Sequence, residues 1–204
     1  MNATPEPRGR SGRARRALLA ALALGFALAG SAAAADLGLD EVMAGFRARP
    51  HRHDAFTERY TTAVLDRPLE ASGELVYDAP DHLEKRTLRP RPERLVLDGD
   101  ALTVERRHRA YQTTLGEYPQ LAPYIESIRA TLAGDRPALE AVFHLEYASH
   151  GNDWSLVLMP LAPAVAAEVT RIRIEGTLAE VRSVAIDRAN GDRSAMTLTG
   201  AASP

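Results

Sequence analysis

The stretch "ASGELVYDAPDHLEKRTLRPRPERLVLDGDALTV", from Ala71 to Val104, carries the clearest pattern in the chain. Apolar and polar residues alternate along it, as expected of β-strands with one buried face. Residues that favour turns separate the alternating segments: Pro80-Asp81, Pro90 with Pro92, and Asp98-Gly99-Asp100. The Asp-Gly pair favours the positive φ of a tight hairpin turn. Short strands at this spacing predict an antiparallel meander.

A helix and a strand are predicted before the meander. Apolar residues recur at helical spacing between Leu39 and Arg49, and Pro50 ends that segment. The next segment, Ala55 to Leu65, is predicted as a strand that begins with Phe56. Phe56, Tyr60 and Val64 share one face of this strand, with Glu58 and Thr62 between them.

A helical region follows the meander. Four apolar residues form one stripe of the predicted helix: Leu121, Ile125, Ile128 and Leu132. Gly134 is a candidate C-cap of this helix, and Asp135 is predicted to cap a second short helix that extends through Glu140. Alternating apolar residues then predict further strands around Phe143–Tyr147, Trp154–Leu158, Ile172–Ile174, Val184–Ile186 and Met196–Leu198.

The first 35 residues predict a cleaved signal peptide. Five arginines precede the apolar segment Ala17–Ala29, which is shorter than the roughly 20 residues of a membrane-spanning helix. The small residues Ala32–Ala35 suit a cleavage site, so we expect a mature domain over residues 36–204 in the periplasm. The chain has no cysteine, which excludes disulfides and an N-terminal lipid anchor on cysteine.

The charge balance argues against nucleic-acid binding. The formal net charge is −2, and it becomes −6 after cleavage because five arginines and Glu6 are lost with residues 1–35. Phosphate contacts need clustered positive charge. We therefore expect no nucleic-acid partner for the mature domain.

No pattern in the chain predicts catalysis, a cofactor or a metal site. The sequence contains no G-x-S-x-G elbow and no cysteine nucleophile. His51 and His53 in "RPHRHD" are interpreted as residues of a solvated loop, since no third ligand follows at a telling spacing. Asp98 and Asp100 lack the further oxygen ligands of a calcium loop, so they are interpreted as turn residues.

The order of five motifs resembles the LolA-like family of periplasmic outer-membrane lipoprotein carriers. These motifs are "AFTERY" (55–60), "GELVYDAPDHL" (73–83), "LVLDGDALTV" (95–104), "WSLVLMPLAP" (154–163) and "ANGDRSAMTL" (189–198). The resemblance implies an α+β fold, an unclosed antiparallel β-barrel with helices that form a lid over an apolar hollow. It also implies a soluble, non-catalytic carrier of acyl chains. A divergent branch that resembles this sequence is associated with polyene-pigment and glycolipid export.

The resemblance changes the interpretation of the apolar residues. Their pattern alone favours a packed core, whereas the family fold implies that they line the hollow. The implied cavity residues are Leu75, Tyr77, Leu83, Leu95, Leu97, Leu102 and Val104. The implied lid residues are Leu121, Ile125, Ile128 and Leu132. Many family members have a lid-holding arginine where this chain has Ala79, and an aromatic residue is common where it has Lys85.

The family also implies the partners. These are an acylated lipoprotein or lipid-like cargo, an inner-membrane donor transporter and an outer-membrane acceptor, with the carrier acting as a monomer. The alternative function is a non-catalytic accessory protein of an envelope lipid or pigment biosynthesis or export complex. Such a protein would have a filled core, so the presence of a cavity separates the two hypotheses.

Overall fold

The computed structural model describes residues 36–107, 109–118 and 122–200, without the side chains of Pro123 and Tyr124. The predicted signal peptide and Leu121 lie outside these residues. The described helices are α1 (Leu39–Arg47), α2 (Ala122–Ala133), α3 (Arg136–Val142) and α4 (Pro163–Ala166). The described strands are β1 (His51–Thr61), β2 (Leu69–Asp78), β3 (His82–Arg89), β4 (Glu93–Asp98), β5 (Ala101–Arg106), β6 (Arg109–Thr114), β7 (Phe143–His150), β8 (Asp153–Pro160), β9 (Val169–Thr177), β10 (Glu180–Arg188) and β11 (Arg193–Gly200).

The described strands form one antiparallel sheet that does not close. Their spatial order is β6-β5-β4-β3-β2-β1-β11-β10-β9-β8-β7. Strands β6 and β7 are the two edges, and the chain passes from one edge to the other through α2 and α3. The prediction of an α+β fold built on an unclosed antiparallel barrel is therefore confirmed.

The register of the meander places its apolar residues on one face. Tyr77 lies opposite Leu83, Leu83 opposite Leu97, and Leu97 opposite Leu102. A shift by one residue would turn every one of these side chains to the other face. The predicted hairpin turn is present, and Gly99 has the positive φ of 56° that the turn requires. We call this apolar face of the sheet its inner face.

Helix α1 covers part of the inner face of the sheet. Its residues Val42, Met43 and Phe46 are buried against apolar residues of β8, β9 and β10. The ring of Phe46 meets the ring of Trp154 edge to face, with 5.8 Å between the centroids. The predicted helix is thus present, although it ends at Arg47 and not at Arg49.

Helices α1 and α2 pack closely because α2 ends at a glycine. Gly134 has a φ of 66°, and a Cβ at this position would lie 2.2 Å from the carbonyl oxygen of Met43. The Arg47 guanidinium donates a hydrogen bond of 2.5 Å to the Gly134 carbonyl. The predicted cap of α3 is also present, since the Asp135 carboxylate accepts a hydrogen bond from the Ala138 N–H.

The outer face of the sheet holds a buried carboxylate. Glu84 is 3% exposed, and Arg94 donates two hydrogen bonds to it, at 2.5 and 3.0 Å. Arg86 donates a third hydrogen bond. These bonds, with that of Arg94 the largest influence, outweigh burial and lower the pKa of Glu84 to about 2. The arrangement stabilises the pairing of β3 with β4.

Two predictions about local structure need correction. Strand β1 spans His51–Thr61 and not Ala55–Leu65, because β2 is long enough to pair with it from its first residue, His51 opposite Asp78. His51 and His53 therefore belong to a strand and not to a solvated loop. Strand β6 was not predicted at all, because nearly all of its side chains are exposed and leave no apolar alternation in the sequence.

Candidate functional site: a cavity beneath helix α2

A cavity of about 740 Å³ lies between the inner face of the sheet and α2. Six of its apolar lining residues come from the second half of the sheet: Ile172, Ile174, Val184, Ile186, Met196 and Leu198. Protein interiors are close-packed, with few voids larger than a water molecule. A cavity of this volume is within the range of ligand-binding pockets, so it is not a packing defect.

Most of the predicted cavity residues line this cavity. They are Leu75, Tyr77, Leu83, Leu95, Leu97 and Leu102. Val104 is not among the lining residues of the described chain, and it packs instead against the cluster formed by Leu97, Leu102 and Leu115. It lies on β5, on the same face as Leu102 and two residues further along the strand.

Three of the predicted lid residues also line the cavity: Ile125, Ile128 and Leu132. They project from one side of α2, as their spacing predicted. Ala79 does not line the cavity in the described structure. It lies exposed in the turn after β2, where its N–H donates a hydrogen bond of 2.8 Å to the Pro50 carbonyl.

An arginine on α2 connects this helix to the sheet. The Arg129 guanidinium donates a hydrogen bond of 3.0 Å to the Gly99 carbonyl in the β4–β5 turn. It also donates to Glu126 on its own helix, at 2.9 Å. The side chain of Arg129 is 15% exposed, and its Nε is buried with no acceptor in the described part of the chain. Helix α2 is thus attached to the sheet through Arg129 and to α1 through Arg47.

Charged residues of β1 lie at the rim of the cavity beside α1. The Arg52 guanidinium lies 4.4 Å from the centroid of the Phe46 ring and donates to the Phe46 carbonyl at 3.1 Å. Burial is the largest influence on the pKa values of Arg52 and Asp54: it lowers the pKa of Arg52 and raises the pKa of Asp54. Arg52 therefore holds the end of α1 against the sheet.

A polar cluster lies among the apolar lining residues. The Lys85 ammonium donates a hydrogen bond of 2.5 Å to Oε2 of Glu58 and lies 5.0 Å from the centroid of the Phe56 ring. The Ser194 hydroxyl donates to Oε1 of Glu58, also at 2.5 Å. Both Lys85 and Glu58 line the cavity. The pattern of the sequence did not predict this cluster.

Two sequence signals pointed to the polar cluster. Glu58 follows Phe56 on the same face of a strand, where an apolar residue is expected. Lys85 is the single lysine of a chain that otherwise uses arginine. Neither signal showed that the two residues meet, because they lie on β1 and β3, with β2 between them.

The described residues contain no group of three or more side chains that could hold a metal ion. The two histidines of β1 have carboxylate neighbours instead: His51 lies 2.8 Å from Asp78, and His53 lies 3.5 Å from Glu74. None of the described helices is long and apolar enough to cross a membrane.

Comparison with known sequences identifies one family. The family described as "Outer membrane lipoprotein carrier protein LolA-like" matches residues 29–204 of this chain. A comparison with curated protein sequences returned no significant match.

Comparison with solved structures finds similar folds at low identity. A LolA superfamily protein from Nitrosomonas europaea has 10% identity and a TM-score of 0.43, with 79% of this chain and 90% of that chain covered. Lipoprotein LppX from Mycobacterium tuberculosis has 10% identity and a TM-score of 0.37, with 80% and 97% covered. The MucA/MucB complex of Pseudomonas aeruginosa gives 13% identity and a TM-score of 0.40, with 81% and 58% covered.

Proposed function

Because the chain belongs to the LolA-like family of outer-membrane lipoprotein carrier proteins, we propose that it binds the acyl chains of a lipoprotein or lipid-like cargo in the cavity beneath α2. The observation that carries this proposal is the cavity itself, with its volume of about 740 Å³ and its apolar lining from both halves of the sheet. An acyl chain has no polar groups, so such a lining is sufficient to bind it.

The hydrophobic effect provides enough free energy for this function. Burial of each CH₂ group stabilises a complex by about 0.8 kcal/mol. Burial of half of a palmitoyl chain therefore contributes roughly 6 kcal/mol before the costs of association. The complex needs neither a catalytic group nor a bound cofactor, and we propose that the protein acts without catalysis.

The cavity also favours a carrier over the alternative, an accessory protein with a filled core. In the proposed function the mature protein begins at Asp36, acts in the periplasm as a monomer, and receives cargo from an inner-membrane transporter. It then releases the cargo to an outer-membrane acceptor. The direction of transfer depends on the relative affinities of these partners, since the sequence contains no recognisable nucleotide-binding motif.

Two neighbouring positions on β11 provide a matched test. Met196 lines the cavity, whereas Thr197 is exposed on the opposite face of the same strand. We expect Met196→Trp to occupy the cavity and weaken binding of a fluorescent fatty acid by about tenfold or more, a loss of about 1.4 kcal/mol. Thr197→Trp should bind the probe like the wild type.

Native mass spectrometry of the protein purified from its own periplasm would identify the bound cargo and measure the mature mass. The proposal is wrong if the wild type binds no acyl probe and carries no lipid. It is also wrong if Met196→Trp and Thr197→Trp, both shown to be folded by circular dichroism, retain equal affinity.

A further inference from the structure

The Lys85–Glu58 ion pair is an unexpected feature of a cavity for hydrocarbon chains. Only 31% of the Lys85 side chain and 18% of the Glu58 side chain are exposed. Removing two charges from water carries a desolvation penalty, and apolar residues of similar volume are often at least as stabilising as a buried ion pair. An unbroken acyl chain would bind such apolar residues better. The ion pair therefore points to a cargo with a polar group.

The sheet is built to bring the two charges together. Strand β2 separates β1 from β3, and its residue on the inner face between them is Gly73, opposite Phe56 on one side and Thr87 on the other. A Cβ at Gly73 would lie 1.8 Å from the Arg86 carbonyl oxygen and 3.0 Å from the Phe56 ring. The absence of a side chain at Gly73 lets the Arg86 backbone and the Phe56 ring lie close to β2, and the Lys85 ammonium reaches Glu58 beside this ring.

In the polar cluster both oxygens of the Glu58 carboxylate are occupied, whereas the Lys85 ammonium has unused N–H donors. Each oxygen of Glu58 already accepts a hydrogen bond, one from Lys85 and one from Ser194. An ammonium carries three N–H donors, and Glu58 is the only acceptor of the Lys85 ammonium in the described part of the chain. Two donors of Lys85 therefore remain for a ligand in the cavity.

A second cation lines the same cavity. Arg188 is the last residue of β10, and its Nε is buried without an acceptor among the described residues. The nearby Tyr60 hydroxyl is already engaged, since it donates a hydrogen bond of 2.5 Å to Asp192. Because this Nε is buried, the donors open to a ligand in the cavity are those of Lys85, and a group that satisfies them must be a hydrogen-bond acceptor.

We propose that Lys85, held by Glu58, forms a subsite for a neutral acceptor oxygen on the apolar part of the cargo. The cargo is then an oxygenated acyl chain, with a hydroxyl or carbonyl group along its length, and not a plain hydrocarbon chain. A carboxylate fits less well, because it would bring a second negative charge close to Glu58. This inference rests on the proposed function and specifies its cargo.

The test compares stearate with hydroxystearates that carry the hydroxyl at different positions, each in competition with a fluorescent fatty acid. We expect at least one hydroxystearate to bind the wild type about tenfold more tightly than stearate, the effect of one hydrogen bond to a charged group. The double variant Glu58→Leu/Lys85→Met removes both charges together, so neither remains unpaired. It should bind stearate at least as tightly as the wild type and lose the preference for the hydroxyl. Lys85→Arg keeps a cationic donor and should retain a preference.

The outcomes separate this inference from the proposed function. Binding of stearate and all hydroxystearates with equal affinity by the wild type overturns the subsite and leaves the carrier function intact. A preference that persists in the folded double variant also overturns it. Failure of the wild type to bind any of these fatty acids overturns the proposed function and the subsite together. The comparison on the wild type decides the question even if the double variant does not fold.

Discussion

Replacement of Arg129 by alanine should loosen α2 over the cavity. The guanidinium makes the hydrogen bond that joins α2 to the Gly99 carbonyl at 3.0 Å. A hydrogen bond to a charged group contributes about 1.5–3 kcal/mol net. The buried Nε of Arg129 has no acceptor among the described residues, which offsets about 1 kcal/mol of this gain. About 0.5–2 kcal/mol remains, which corresponds to about a 2- to 30-fold change in an equilibrium between closed and open states.

The assay is the release rate of a fluorescent fatty acid, measured by stopped-flow mixing with an excess of unlabelled fatty acid. We expect Arg129→Ala to release the probe about 2- to 30-fold faster than the wild type. Glu126→Gln is the matched control, because the Glu126 carboxylate is half exposed and its pair with Arg129 contributes little. An unchanged release rate in an Arg129→Ala protein with wild-type thermal unfolding would refute the idea that this bond holds α2 closed.

Three other substitutions test the stability, the role of α2 and the family latch. Glu84→Gln should lower the free energy of unfolding by about 3 kcal/mol at neutral pH, because the pKa of this buried carboxyl falls from 4.5 to about 2 on folding. Since the folded pKa is depressed, this stabilisation is present above pH 4.5, and about 2 kcal/mol of it is lost by pH 3. The prediction is contradicted if urea titrations give the same difference in unfolding free energy between the variant and the wild type at neutral pH and at pH 3. Ile128→Asp should abolish binding of the fatty-acid probe, because it places a charge in the apolar lining, and normal binding by a folded variant would show that α2 is not a lid. Ala79→Arg should slow release of the probe if the new guanidinium reaches carbonyl groups of α2, and an equal release rate at unchanged thermal stability would show that position 79 does not gate the cavity.

The strands of the meander could be predicted because their signal is local. Leu75 and Tyr77 lie two residues apart, as do Leu95 and Leu97, so each pair shares one face of its strand whatever the partner strands are. The stripe on α2 could be predicted in the same way from its helical period. The order of these elements then indicated the family and its unclosed sheet.

The polar cluster could not be predicted because it depends on register across three strands. Glu58 and Lys85 are 27 residues apart, and their contact requires both the pairing of β1 with β2 and the pairing of β2 with β3. The edge strand β6 was missed for a different reason, since a strand with almost no buried side chain has no apolar periodicity. Which part of the sheet α1 covers is likewise decided by tertiary packing, and the sequence of α1 alone does not show it.

The path of the chain between β6 and β7 has a mechanical consequence. These strands are the two free edges of the sheet, and the segment that joins them contains α2 and α3. Helix α2, which lies above the cavity, is therefore part of a covalent connection between the edges. We expect a force that spreads the edges to pull on α2, and a displacement of α2 to be transmitted to β6 and β7. A partner that pairs with the exposed strand β6 could thus change access to the cavity without touching a single residue that lines it.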